Sequence, residues 1–538
     1  MATGSQDVAN QSTELLDYNL FTSQPALMDA TPKGTHERLA ALGQRLGTGD
    51  MFRLGDAANR NPPVLKLFDR FGRRRDEVEF HPAWHELMRR LVAEGLHTGP
   101  WSDPGPAAHT ERAAGYMMWA EVENGTQCPA TMTYGAVPAL EHQGSEYRNW
   151  LSLLKSREYD PRFVPPVGKR GALMGMGMTE KQGGSDVRTN TTYAVPGPGG
   201  EYRISGHKWF FSAPMCDAFL VLAQAPGGLT CFLLPRFQPD GSLNGLRLQR
   251  LKDKLGNRSN ASSEVEFVEA YGTLVGEEGR GIPTILEMGV FTRLDNAVAS
   301  AGLMRQCVSQ AVHHAQCRSA FGKLLFDQPL MRNVLADLAL ECESAIALAM
   351  RLASAFDSND EAEIILRRIL TPAAKYWICK RAPAVGAEAM EVLGGNGYIE
   401  EGPLARRFRE LPLNSIWEGS GNIMCLDVLR ALNREPRSRD ALDVVLSSAK
   451  GLDVSYDRFI GTLHTELAKT SELEDRARRV TEMIALSVQA AILLTRGPES
   501  SARAFLVSRL SEGAPGAFGT LPGGIDQTAL IDRVFRVL

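Results

Sequence analysis

Several common signatures are missing from this chain. None of its eight cysteines (Cys128, Cys216, Cys231, Cys307, Cys317, Cys342, Cys379, Cys425) belongs to a C-x-x-C pair. That spacing signals neither a zinc site nor a disulfide framework, and reads instead as buried thiols in a reducing compartment. No apolar run reaches the roughly 20 residues that a membrane-spanning helix needs. The opening "MATGSQDVANQSTELLDYNL" has no basic start followed by an apolar core, so a soluble cytoplasmic protein is expected. A net charge of only -4 over 538 residues argues against a wholesale electrostatic grip on nucleic acid, so any polyanion site has to be a local patch. Internal repeats and long low-complexity tracts are absent too.

What is present is an ordinary globular composition, 43% hydrophobic and 23% charged, on a chain long enough for three or four structural units. Residues 1–170 read as helices separated by Pro/Gly breaks. In "HPAWHELMRRLVAEGL", Pro82 suits a helix start and Trp84, Leu87, Leu91 and Leu96 mark an apolar face. From 171 to 282 short β-branched and aromatic runs such as "EYRISGHKWFFS" and "LTCFLLPRF" alternate with "PGPGG", "APGG" and "QPDGS", which predicts a small domain of antiparallel strands. From 283 to 433 helical period returns, with Leu294, Val298, Ala301, Met304, Val308 and Val312 on one face of a bundle helix. "LNREPRSRD" marks a boundary, and 434–538 is helical before a Gly/Pro-rich end. The fold class expected is therefore α+β, mainly α.

Four motifs follow one another through this frame. In "MGMTEKQGGSDVRTNTT" adjacent glycines sit among the oxygen-bearing Thr179, Glu180, Ser185 and Asp186, so backbone N–H groups can approach a ligand. "GHKWFFSAP" puts Phe210, Phe211 and Ser212 at a strand end. "RSAFGKLLFDQPL" holds Arg318, Phe321 and Gln328, and "EVLGGNGYIEEGPLARRFRELPLNSIWEGSGN" holds Glu391, Gly394, Gly395, Glu418, Ser420 and Asn422.

In this order the motifs resemble the acyl-CoA dehydrogenase superfamily, over about residues 80–433, and are closest to its alkylation-response branch, the AidB proteins, which carry an additional C-terminal domain. The resemblance implies a homotetrameric FAD flavoprotein. Met178, Thr179, Gly183, Gly184, Ser185 and Asp186 would meet the flavin edge or pyrophosphate, Phe210 would flank the ring with Phe211 beside it, and Ser212 would reach the reactive nitrogen. Arg318 would pair with pyrophosphate across a subunit boundary, Phe321 and Gln328 would face the adenine half, and Glu391, Gly394, Gly395, Ser420 and Asn422 would complete the dinucleotide contacts. Glu418 falls at the catalytic carboxylate, the base that removes the proton α to the thioester. The chain departs from the common pattern at Glu391 in place of Gln, Lys181 in place of Pro, the bulky Trp417, and "GSGN" in place of "GTSQ". Trp417 and Asn422 would narrow the acyl pocket, leaving weak activity at most, on a thioester such as isovaleryl-CoA.

The AidB resemblance also implies double-stranded DNA binding and a link to protection from DNA alkylation. Residues 441–538 contain 11 Lys or Arg against 12 Asp or Glu, so net charge does not announce such a role. Clustering leaves Arg430, Arg434, Arg437, Arg439, Arg476, Arg478 and Arg479 as candidates, with ion pairing to nearby acids as the open alternative. An ordinary acyl-CoA dehydrogenase without DNA binding is the competing reading. No metal site is expected: His81 and His85 have ligand spacing, but no third ligand accompanies them. "FGRRRDE" (Arg73, Arg74, Arg75) reads as a solvated turn or interface, and Arg247, Arg250, Lys252, Lys254 and Arg258 as a basic series with a structural role.

Overall fold

The computed structural model describes residues 8–469, 472–511 and 516–536; the first seven residues of the opening stretch, and 512–515 of the Gly/Pro-rich end, lie outside the described residues. The chain forms two compact units, each discontinuous in sequence. One comprises Phe52–Ala108 and Glu123–Asp295, the other Met1–Met51, His109–Val122 and Asn296–Leu538.

The first unit holds the main sheet and a smaller hairpin. Its hairpin β1 (Val64–Phe68) and β2 (Arg74–Glu79) was not foreseen, because both strands are half-exposed and carry charges where an apolar face would signal a strand. Arg74 pairs with Asp76 at 2.7 Å and donates to the Leu248 carbonyl, so the arginine run is part of this hairpin. Helix α1 (Pro82–Ala93) starts with proline in its first turn, capped by His81 Nδ1 accepting from Ala83 N at 3.2 Å, and buries Trp84, Leu87 and Leu91. His85 bonds Tyr159 Oη at 2.8 Å, so the two histidines serve as cap and packing group.

Strands β3 (Met174–Gly177), β4 (Tyr193–Pro196), β5 (Glu201–Ser212), β6 (Ala218–Ala225), β7 (Gly228–Pro235), β8 (Leu246–Leu251) and β9 (Ser262–Val275) form one sheet. β4, β5, β9, β7 and β6 pair in a closed circuit, with β3 added to β6 and β8 to β9. The pairings are antiparallel as expected, except that β6 runs parallel to both β3 and β4. A register shift between Lys208 and Phe211 in β5 bends that strand where the second motif lies.

The second unit is helical. Helix α2 (Gly281–Cys317) begins in the first unit and runs into this one; α3 (Pro329–Phe356) and α4 (Glu361–Val392) pack on each other, and α4 continues through Pro372 and Pro383 after an Asp360 cap. Residues Val298, Ala301, Met304, Val308 and Val312 of the predicted apolar face are fully buried. α5 (Gly421–Arg434) follows. The extension supplies α6 (Ser438–Ser447), α7 (Val454–Ala468), α8 (Ala477–Arg496), α9 (Glu499–Arg509) and α10 (Gln527–Val534). α8 packs on α3, α4 and α5, so the extension shares a core with the bundle.

That core is laced with charge. On α3, Asp337, Glu341 and Glu343 are buried; Arg509 meets Asp337 and Glu341, Arg381 meets Glu341 at 2.8 Å, and Arg533 meets Glu343 at 2.7 Å. Burial works against the Glu341 charge, but the two guanidiniums hold its carboxyl below the ordinary value. Arg305, also fully buried, bonds Glu121 at 2.6 Å, Ser23 Oγ at 2.6 Å and the Val534 carbonyl at 3.2 Å. Among the described residues all the cysteines are free, and no helix is long and apolar enough to cross a membrane.

Candidate active site

In the first unit, the loop after β3 folds back through a bridge between Glu180 and Gly183. Glu180 was read from the sequence as one of four oxygen-bearing side chains around the glycines; instead it turns into the core. It forms an ion pair with Lys208 at 2.8 Å, with neither side chain exposed, and accepts from Thr191 N at 2.7 Å and Thr192 N at 3.2 Å. Burial works to raise its pKa, but Lys208 and these donors hold it down to about 2. Burial lowers Lys208 to about 8 against the pull of the carboxylate.

With Glu180 stapled beneath, the loop turns its backbone outward. Gly183 sits at φ +150°, and a Cβ there would meet nothing within 4 Å; a Cβ on Gly184 would come within 2.4 Å of Thr179 Oγ1. The first position leaves backbone accessible, and the second lets the Thr179 hydroxyl pack against it. Ser185 and Asp186 are exposed, Asp186 pairing with Arg188 at 2.7 Å, and the Met178 carbonyl accepts from Asn190. The shift in β5 leaves the Phe210 ring 56% exposed as an apolar plane. Phe211, read as a cofactor contact, is fully buried against Phe219 at 4.4 Å and belongs to the core. Ser212 Oγ lies 3.3 Å from Ser262 Oγ. The basic series is engaged internally: Arg250 and Lys252 hold Glu264, Arg247 reaches Asp76, and Lys254 and Arg258 bond backbone carbonyls.

In the helical unit, Glu418 occupies a left-handed backbone position at φ +59°, followed by Gly419 at φ +108°. Left-handed geometry is unfavourable for glutamate, so the surroundings must enforce it. Buried Lys375 donates its ammonium to the Gly419 carbonyl. On the other side Trp417 Nε1 donates to Asn414 Oδ1 at 3.0 Å, Asn414 Nδ2 to Ser300 Oγ at 3.1 Å, and Ser300 to Cys379 Sγ at 3.3 Å. Lys375 and Cys379 are one turn apart on α4, so a single helix face anchors both flanks of the carboxylate turn. The sequence reading missed Lys375; its one signal was a lone lysine inside the apolar run "LTPAAKYWI". Ser420 and Asn422 are exposed at the start of α5.

Arg318 is half-exposed at the end of α2 and has no carboxylate partner among the described residues; its guanidinium donates to the Asn10 carbonyl. Phe321 is fully exposed in the turn of a small hairpin joining Ser319–Ala320 to Lys323–Leu324. Gln328 bonds the Ala320 carbonyl at 3.0 Å. Gly394, at φ +59° with open space where a Cβ would stand, begins a turn that includes Gly395, and Glu391 is exposed beside it.

These residues fit a flavin dinucleotide by the chemistry they offer. The first unit presents accessible loop backbone and an exposed aromatic plane; the helical unit by itself presents an arginine with no acid partner among the described residues, a glycine turn with open space, and exposed hydroxyl and amide side chains. No metal-ligand cluster of His, Cys, Asp and Glu occurs among the described residues.

The arginines of the DNA reading are largely occupied. Arg437 pairs with Glu361 at 2.8 Å and Glu435 at 3.2 Å, Arg476 pairs with Glu466, Arg439 donates to the Leu467 carbonyl, and Arg478 donates from Nε to Asn422 Oδ1 at 2.8 Å. Arg430 and Arg434 are exposed one turn apart on α5, with no ion pair among the described residues, and Arg479 is exposed near Glu482.

Three family models match the chain: the adaptive response protein AidB N-terminal domain over residues 10–161, the acyl-CoA dehydrogenase middle domain over 175–270, and the acyl-CoA dehydrogenase C-terminal domain over 279–433. The AidB protein of Escherichia coli strain K12 is 50% identical over 486 residues, 89% of this chain and 90% of that protein. ACDH-11 of Caenorhabditis elegans, solved in complex with C11-CoA, superposes with a TM-score of 0.85 at 26% identity, covering 99% of this chain and 93% of that one. A glutaryl-CoA dehydrogenase of Mycobacterium smegmatis in complex with FADH2 shares the fold, with a TM-score of 0.60 at 18% identity over 77% of this chain and 99% of that one.

Proposed function

This chain belongs to the acyl-CoA dehydrogenase family, and on that premise we propose that it is an FAD-dependent oxidoreductase of the AidB type, acting weakly on the CH–CH bond of an acyl-CoA and binding double-stranded DNA. FAD, as the family's cofactor, supplies the hydride acceptor. In this reading Thr179, Gly183, Gly184 and Phe210 hold the flavin portion, and Arg318 meets the pyrophosphate across a subunit boundary. Glu418 takes the proton α to the thioester carbonyl. The pinned turn is the observation that carries this role, because Lys375 and Asn414 hold the Glu418 backbone in a conformation it would otherwise avoid. A fixed base loses less orientational freedom on reaching the transition state. The C11-CoA complex of the relative supports a thioester as ligand class.

The test is anaerobic flavin absorbance during titration with a panel of acyl-CoA thioesters, including isovaleryl-CoA. Bleaching is expected with the wild type. Glu418→Gln is expected to keep its FAD and lose the bleaching, since the amide preserves shape but cannot accept a proton. An unchanged reduction rate in that variant removes Glu418 from the role.

Double-stranded DNA binding and the alkylation response are supported by the AidB likeness, and Arg430 with Arg434 is the basic pair best placed to meet phosphate. Phe321, Leu330 and Tyr398, each at least 80% exposed, support a homotetramer in which further copies cover them. The free cysteines support a cytoplasmic setting.

A further inference from the structure

A short strap, Asn10–Thr13, touches three parts of the helical unit that carry residues read as FAD contacts: the end of α2 beside Arg318, the Phe321 hairpin and the turn that Gly394 begins. Asn10 occupies the left-handed region at φ +53°, which asparagine tolerates better than most residues. Its side chain pairs both ways with the Ser319 backbone: Oδ1 accepts from Ser319 N at 2.7 Å, and Nδ2 donates to Ser319 O at 2.8 Å. One residue earlier in that segment, Arg318 donates from Nη1 to the Asn10 carbonyl. Gln11 Oε1 accepts from Asn396 Nδ2 at 3.2 Å, inside the turn that Gly394 begins. Ser12 Oγ lies 2.9 Å from His314 Nδ1, and His313 Nε2 donates to the Thr13 carbonyl at 2.9 Å. Four consecutive residues thus tie together the end of α2, the Phe321 hairpin and the glycine turn.

The consequence concerns Arg318. A guanidinium on a long, half-exposed side chain samples many rotamers, and a ligand that needs it must bear the cost of ordering it. With one N–H already committed to the Asn10 carbonyl, fewer rotamers remain open to it while its other donors still match an oxyanion. The same strap holds Ser319, the next residue, by its backbone, so Arg318 cannot swing by moving its own main chain.

We propose that the strap is part of the cofactor site: Asn10 is a positioning residue that pre-orders Arg318 for a diphosphate, while Gln11 steadies the glycine turn beside it. This rests on the reading that Arg318 and that turn meet FAD.

The experiment uses full-length protein carrying Asn10→Ala, Asn10→Gly, Arg318→Ala, or Asn10→Ala with Arg318→Ala. Apoprotein of each is titrated with FAD by flavin fluorescence, and thermal flavin release is followed on the holoproteins beside far-UV circular dichroism. Asn10→Ala is expected to weaken FAD binding by about tenfold, the equivalent of roughly one hydrogen-bonded contact. Asn10→Gly keeps the left-handed backbone and its carbonyl, and is expected to lose less. In the Arg318→Ala background the Asn10 substitution is expected to add little, because its effect passes through that guanidinium. Wild-type affinity in Asn10→Ala overturns the proposal, as does a full additive loss in the double variant, which places the effect elsewhere. A wild-type protein that binds no FAD overturns the parent reading and the proposal with it, so the two failures are distinguishable.

Discussion

Lys208 and Glu180 meet at 2.8 Å with neither side chain exposed to solvent, directly under the loop whose backbone faces outward at Gly183. The pair decides which way the loop points, because a buried carboxylate with four further donors, from Gln182, Thr191 and Thr192, cannot exchange places with the solvated Asp186. Glu180→Gln leaves the Lys208 ammonium buried without its counter-charge, and is expected to cost about 3–5 kcal/mol in urea unfolding. The pH dependence has a definite sign. Glu180 is held below its unfolded value, so its contribution is fully present above about pH 4.5 and is lost as pH falls through about 2. A stability profile flat across pH 5 to 2, compared with that of the glutamine variant, would contradict this.

The carboxylate turn gives a second expectation. A non-glycine residue in a left-handed position costs about 1–3 kcal/mol, a strain released if the clamp is removed. Lys375→Met keeps volume and removes the donor to Gly419, and is expected to slow flavin bleaching by acyl-CoA about tenfold or more at unchanged FAD content. Stopped-flow absorbance checks it; an unchanged rate means that Glu418 does not depend on the clamp.

Arginines already bound to acids should matter little to phosphate. Removing Arg430 and Arg434 together is expected to flatten the slope of log affinity against log salt for duplex DNA by about 1.8, two contacts at roughly 0.9 each. Removing Arg437 and Arg476, which pair with Glu361, Glu435 and Glu466, is expected to leave the slope unchanged. The reverse pattern in a filter-binding series would move the surface to the ion-paired set.

In the extension, Arg509→Met strips Asp337 and Glu341 of a shared partner inside the core and is expected to destabilise the protein by about 3–5 kcal/mol, read from the denaturation midpoint. A midpoint within error of wild type would show that these acids find other compensation.

The order of helices, strands and helices was legible because periodicity is local: Trp84 to Leu91 and Val298 to Val312 announce their buried faces within a few turns. The hairpin at Val64–Glu79 was not, since its strands bury no clear alternating face. Glu180 was misread because its partner Lys208 stands 28 residues away, on β5. Phe211 and Phe210 are neighbours of the same type, and only the register shift in β5 separates core from surface. Glu418 was singled out through its motif, and Asn414 lies unremarked inside that same motif, but Lys375 and Asn10 lie in stretches with no motif of their own. Charge counting over 441–538 gave near-neutrality and concealed that Arg509 and Arg533 are spent on acids of α3, outside the counted segment.

Arg305 closes a loop of another kind. It donates to Ser23 Oγ and to the Val534 carbonyl, more than 500 residues apart in sequence, while Arg536 N donates to the Ser23 carbonyl at 2.8 Å. During synthesis the segment around Ser23 must wait while more than 500 residues are added before its last partner emerges. Until then the Arg305 guanidinium, made midway, is without its final acceptor. The helical unit therefore cannot complete this core until α10 has been made, and a nascent chain stalled before α10 should expose it to chaperones and proteases.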